Sequence, residues 1–158
     1  MITLPCITLH DPWACLCAGG VKTLETRRGP VLSGFLGILA IHRSKAAPDD
    51  DYLGMMGWAP APHPPWAGPD DDLAGLVLGV VEVAGTWRHS RQQTITVDAA
   101  ERNLREQARY HDLDGRYLSV LIRADWLTRP VPARGMQGRW QVAIPRTALP
   151  EWAMEATP

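Results

Sequence analysis

The 158 residues carry 16 lysines and arginines against 17 aspartates and glutamates, a formal net charge of −1. That balance excludes a protein that coats long nucleic acid by bulk charge, since such binders neutralise roughly six to ten phosphates. With 46% hydrophobic and 21% charged residues, no apolar run of membrane-spanning length and no basic leader, the chain predicts one cytoplasmic domain with no membrane partner.

Residues 2–9, ITLPCITL, are β-branched and apolar and predict a first strand, with Pro5 favouring an edge or a bend. A short helix follows over residues 12–18. Asp11 suits its N-cap, Pro12 its first position, and Gly19 or Gly20 a left-handed C-cap. The helix is apolar nearly all round and calls for cover on most sides. Trp13 on it is read either as core packing or as the wall of a pocket. Seven tryptophans against one phenylalanine point to some indoles serving as rigid walls. Cys6, Cys15 and Cys17 are an odd, clustered set that predicts reduced, buried thiols rather than a disulfide framework. Cys15 and Cys17 lack the two-residue spacing of common zinc ligand pairs, so neither a metal nor a cofactor is expected.

Residues 23–27 read as a second strand, in which Thr23, Glu25 and Arg27 share a face. Lys22 sits at the bend before it, with a stem long enough to swing across that face. A lysine, a carboxylate and a guanidinium then converge on one spot. Arg28-Gly29-Pro30 breaks the strand, and GFLGILAIHRSK resumes as a buried central one whose charged end brings out His42, Arg43 and Lys45. His42 is read as a structural hydrogen-bonder, Ser44 and Lys45 as ligand contacts.

Residues 46–74 are dense in proline and glycine and contain Pro-Asp-Asp-Asp twice. They read as a loop insertion with one helical turn at 51–56, the aspartates serving turns and caps rather than a metal. Trp58 and Trp66 make the insertion a candidate lid. LAGLVLGVVEVAGTWRH is the next long strand, with Val77, Gly79, Val81 and Val83 on one face. Glu82 within it either emerges at an edge or pairs with a buried base such as Arg27. Residues 98–110 predict a helix, from the capping-box spacing of Asp98 and Glu101 and the Glu101–Arg105 pair. GRYLSVLIRADWL and QGRWQVAIP are the last two strands, with RPVPARGMQG crossing an edge of the sheet between them. The tail carries little signal beyond Trp152.

These segments carry a resemblance. GVKTLETR matches the G-x-K-x-x-E-x-R signature of the ASCH family of PUA-like domains. ITLHDPWACLCAGG, GILAIHRSK and PVPARGMQGRW resemble three further stretches of that family, in the same order. Only residues 46–74 fall outside the similarity to any large extent. The resemblance implies an α+β fold over residues 1–158: a mixed β-barrel of about five to six strands, flanked by two main helices and carrying the Pro/Asp-rich insertion. It also implies a cleft on the GVKTLETR motif, bordered by the loop holding Arg134 and Gln137. The ligand-binding residues expected there are Trp13, Lys22, Glu25, Arg27, Arg43, Ser44, Lys45, Arg134 and Gln137.

Three functions follow from this constellation. The first is binding of RNA, single-stranded DNA or a modified nucleoside or nucleotide. Arg27, Arg28, Arg43 and Lys45 would hold phosphates, and Glu25 would accept from an exocyclic amine. A tryptophan would stack a base, worth roughly 1–3 kcal/mol. A Glu25–Arg27 ion pair that merely ties strands together is the plainer account of the same residues. The second is amidohydrolysis of an N4-acylated cytidine, implied by a small enzyme of the family. Lys22 matches that enzyme's lysine and would hold the oxyanion, with Glu25 as general base. The threonine nucleophile proposed there falls at Glu25, so this chain lacks it; Glu101 and Glu106 are candidates for a second carboxylate. The third is a metal-independent ribonuclease.

Overall fold

The computed structural model, which describes residues 1–47, 50–90 and 99–157, contains six strands and four short α-helices among those residues. The strands are β1 (Ile2–Leu9), β2 (Leu24–Arg27), β3 (Gly37–Arg43), β4 (Leu76–Arg88), β5 (Tyr117–Pro132) and β6 (Arg139–Ile144). The helices are α1 (Trp13–Ala18), α2 (Asp50–Met55), α3 (Ala99–Ala108) and α4 (Glu151–Glu155). The strands form one mixed sheet in the order β2-β5-β4-β3-β1-β6. Within it β1 and β3 are parallel and the other neighbours antiparallel. The fold is therefore α+β. None of the helices among the described residues is long and apolar enough to cross a membrane.

The sheet is not closed into a barrel among the described residues: β2 and β6 are its edges. It is nonetheless strongly curled. Arg27 Nη2 on edge strand β2 donates to the Thr8 carbonyl of β1 at 3.0 Å, although three strands lie between them in the sheet. The curl has a local cause. Residues 127–130 of β5 lie opposite Leu78 alone, between the pairs Gly79–Trp126 and Val77–Val131, and further register shifts follow at Glu82/Val83 and Val83/Gly85. Unpaired residues of this kind bend a strand and increase its twist.

A second irregularity overturns the simple alternation expected along β4: against β3, Leu78 is an extra residue between the pairs Ile41–Gly79 and His42–Val77. Val77 and Val80 pack into one core cluster, Leu78, Val81 and Val83 into the other, because the pleat loses phase where the bulge is inserted. Glu82 is neither at an edge nor paired with Arg27. It is half-buried on an interior strand, opposite Ile38 and Arg123. Strand β5 runs five residues further than expected, through Pro130 and Pro132. Only residues 117–120 pair with β2, so beyond them one side of β5 is open and a missing N–H costs no ladder bond. Pro5 is tolerated on β1 similarly: the pairing with β3 starts at Cys6, one residue later.

Three clusters make up the core. One lies under α1 and gathers Ile7, Leu16's neighbours Cys15 and Cys17, Leu39, Leu78 and Val81, with Trp66 of the insertion against it. A second lies on the other face, where Ala148, Leu149 and Ala153 cover Leu4, Val80 and Val142. A third seats Ala108 and Leu113 on Leu24 and Leu118, fixing α3 beside β2. Helix α4 was not anticipated, being five residues long; its signals were Pro150 at the N-cap and the half-buried Trp152.

Asp11 does not cap α1. Pro12 occupies the cap with no side-chain bond, and Asp11 Oδ2 instead takes Arg43 Nε at 2.9 Å. On α3, Glu101 meets Arg105 Nε at 3.4 Å as its spacing predicts, and also His89 Nε2 at 2.9 Å. Asp98, the other half of the expected capping box, lies outside the described residues. Within the insertion the aspartates do make turns: Gly68 N donates to Asp71 Oδ2 at 2.8 Å and Ala74 N to Asp72 Oδ1 at 2.9 Å.

Candidate functional site

The curl of the sheet leaves an open cleft of about 1370 Å³ between β2 and the adjoining ends of β1 and β3. Glu25 and Arg27 of β2 line it, with Trp13 of α1 and Tyr110 and Arg116 from the segment that follows α3. Further lining comes from Thr8 and His10, from His42, Ser44 and Lys45, and from residues 74–76 and 132–138. Alternation along β2 delivers Glu25 and Arg27 to the same face, as their spacing predicts.

Glu25 is held from three sides. Arg27 Nε lies 3.7 Å from Oε1, Lys22 Nζ 3.7 Å from Oε2, and the Cys17 thiol donates to Oε2 at 3.7 Å. The Glu25–Arg27 ion pair therefore exists, and both partners also face the cleft. Lys22 does not. Only 1% exposed, it is absent from the lining, and its Nζ donates to the Ala108 carbonyl at the end of α3. The reason is the turn out of α1. Gly20 at φ 73° reverses the chain, the amides of Val21 and Lys22 both bond the Leu16 carbonyl, and the lysine ammonium ends buried between the Glu25 carboxylate and the Ala108 carbonyl. Burial lowers the pKa of Lys22, opposed in part by the charge of Glu25. Burial, reinforced by Glu25, raises that of Cys17 and keeps it a thiol.

Arg43 also departs from expectation. It alternates with His42 and Ser44, so it points to the opposite face, where Asp11 Oδ2 holds it at 2.9 Å and Asp72 Oδ1 at 3.6 Å. It lines a separate cavity of about 270 Å³ rather than the cleft. Arg28 is exposed and outside the lining as well. Ser44 lines the cleft while its Oγ accepts from Ala46 N at 3.1 Å, and Lys45, Arg134 and Gln137 are exposed lining residues. Trp13 serves both roles that its sequence context left open: it lines the cleft and packs on Tyr52 at 5.3 Å.

The second carboxylate sought on α3 is not at the site. Glu101 faces His89 and Arg105, and Glu106 takes Trp58 Nε1 and Arg109 Nη1. Glu25 is the single acid among the lining residues. The described residues of the insertion do not cover the cleft in this structure. Trp66 Nε1 donates to the Leu127 carbonyl at 2.8 Å, and of residues 46–74 Ala74 alone reaches the cleft among those described. Among the described residues no group of three or more His, Cys, Asp and Glu gathers to hold a metal ion.

Sequence reasoning missed Arg116 and Tyr110. They lie 4.5 Å apart, guanidinium over ring, beside the start of β5. Their signal was weak: an isolated Tyr-His pair and an arginine next to a glycine turn, distant in the chain from the GVKTLETR motif.

His42 is buried as a structural hydrogen-bonder should be, and it also borders the cleft. Its Nε2 donates to the Ala133 carbonyl at 3.1 Å, anchoring the base of the 133–138 loop. Gly135 must be glycine for that loop to close, since a Cβ there would meet His42 Cε1 at 2.5 Å and Thr8 Oγ1 at 3.0 Å. Burial lowers the pKa of His42 from its ordinary 6.5, the carbonyls of Ala133 and Gly75 oppose this, and Lys45 adds to it. The unfolded chain then takes up a proton as pH falls below about 6.5, before the native state does. Stability associated with His42 is full above that pH and is lost as pH falls through the depressed native value. In thermal melts, the advantage of wild type over His42→Asn is expected to shrink below about pH 6.5. An advantage constant across the acid range would sink this account.

Compared with models of known protein families, the chain matches none.

Proposed function

We propose that the cleft binds RNA or single-stranded DNA, or a nucleotide, and that the chain is a cytoplasmic PUA-like domain of the ASCH kind, its curled sheet corresponding to that fold's mixed barrel. One observation carries the binding reading: Arg27, Lys45, Arg116 and Arg134 share the cleft lining with Trp13, Tyr110 and the lone acid Glu25. The cations suit phosphates, the aromatic wall suits base faces, and Glu25 accepts from a base N–H. The size supports a ligand larger than a nucleoside, because about 1370 Å³ exceeds the roughly 300–1,000 Å³ of small-molecule pockets.

The test is anisotropy of labelled single strands across a salt series. With four lining cations and about 0.7 per neutralised phosphate, the slope of log Kobs on log salt is expected to be no steeper than about −3. Lys45→Ala and Arg134→Ala should each flatten it by about 0.7, equally for all sequences. No binding at low salt to any RNA, DNA or nucleotide would overturn the reading.

Hydrolysis of an N4-acylated cytidine is the second reading, favoured by Lys22 and Glu25 lying 3.7 Å apart. It ranks behind because Lys22, buried beneath Glu25 and absent from the lining, is not placed to hold an oxyanion in the cleft. Wild-type turnover that falls by about 10²–10⁴-fold in Glu25→Gln would reverse that order.

A further inference from the structure

The aromatic wall of the cleft does not stop at Trp13 and Tyr110. Tyr52 of α2 packs on both, its ring centroid 5.3 Å from Trp13 and 5.8 Å from Tyr110. Beyond it Trp58 lies 6.0 Å from Tyr52, and His111 stacks on Tyr110 at 5.5 Å. Guanidinium groups lie over two of these rings, Arg116 over Tyr110 at 4.5 Å and Arg109 over Trp58 at 5.8 Å. The rings are fixed in place. The Tyr52 hydroxyl bonds His111 Nδ1 at 2.7 Å, Trp58 Nε1 donates to Glu106 Oε1 at 3.1 Å, and Arg109 Nη1 pairs with Glu106 Oε2 at 2.8 Å.

Docking α2 onto the domain accounts for Tyr52. It does not account for the rest, because Trp58 stays half-exposed and His111 exposed, whereas docking gains by burying such area. An ordered, pre-positioned series of partly exposed rings that runs into a basic cleft is the arrangement on which successive bases of a single strand stack. Resting on the binding reading above, we propose that Tyr52, Trp58 and His111 form a second subsite, taking the bases of a strand that leaves the cleft. The ligand class is then a single strand of several nucleotides rather than a free nucleoside. Two of the three rings come from the 46–74 insertion, which thus sets how much strand is engaged instead of closing over it.

Charge adds little here, since Arg109 is already paired with Glu106. The subsite's contribution should therefore be nearly independent of salt, unlike that of the cleft. The experiment measures affinity for a mononucleotide and for single strands up to about sixteen nucleotides, the upper end of site sizes for comparable small domains. Wild-type affinity is expected to rise with length, and Trp58→Ala to remove about 5- to 150-fold from the longer strands, the worth of one stacked base. His111→Ala should act in the same direction. Neither variant should change mononucleotide affinity or the salt slope. Trp58→Phe keeps a stacking face without the bond to Glu106; it should retain long-strand affinity, and melting curves show whether α2 stays docked. Mononucleotide binding with no gain for longer strands would overturn the second subsite and leave the cleft reading standing, as would a gain that survives both alanine variants. Failure of every ligand, the mononucleotide included, would overturn both.

Discussion

Lys22→Met is expected to cost about 3–5 kcal/mol of stability, the usual result of removing one member of a buried ion pair. For a chain of this length that is roughly 6–20 °C in Tm. The ammonium is buried, where it compensates Glu25 and bonds the Ala108 carbonyl. Its loss leaves Glu25 with Arg27 as its one remaining cation among the described residues, and frees the end of α3 from the sheet. Lys22→Met/Glu25→Gln should recover much of the deficit, because no uncompensated buried charge then remains. Below its melting temperature the single variant should bind single strands with nearly wild-type affinity. A variant of unchanged Tm that loses binding more than about tenfold would mean that the lysine reaches the ligand after all.

Arg27→Ala should have the largest effect on binding. Arg27 lines the cleft, pairs with Glu25 and spans the gap from β2 to the Thr8 carbonyl, so it contributes to the ligand site and to the curl that creates it. Losing a charge-assisted hydrogen bond of roughly 1.5–3 kcal/mol corresponds to about a 10- to 150-fold weaker complex. The loss should be uniform across sequences, since phosphate contacts position a strand without reading it. Arg27→Lys keeps the charge and should restore the salt slope, but a lysine lacks the planar fork that serves Glu25, Thr8 and a ligand together. Tm should therefore stay below wild type in both variants. A loss confined to one base composition would instead make Arg27 a base reader.

Much of the architecture was legible because it is local. Period-2 alternation placed Glu25 and Arg27 on one face, and turn residues marked the ends of α1 and the insertion. The aspartates at 71 and 72 make the turn bonds their type suggests. The expectations that the structure overturned share a physical cause: each depended on a neighbour remote in sequence. Asp11 looked like a cap until Arg43, on the strand β3 that pairs with β1, offered a charged partner at 2.9 Å. The valine stripe of β4 lost phase at Leu78, an extra residue on β4 between the pairs that Gly79 and Val77 make with Ile41 and His42 of β3.

The sequence by itself determined that a carboxylate, a lysine and arginines cluster around β2, with positive charge concentrated locally in a chain of net charge −1. Only the tertiary structure decided which of those charges meet a ligand. Lys22 was drawn inward by an acceptor 86 positions away, Arg43 was turned to the opposite face by Asp11 and Asp72, and Arg116 was brought in from the far side of α3. A flexible, charged side chain has no preferred direction encoded at its own position. Its direction is set by whichever counter-charge or carbonyl the fold places within reach, and so by contacts that exist only once the chain has folded.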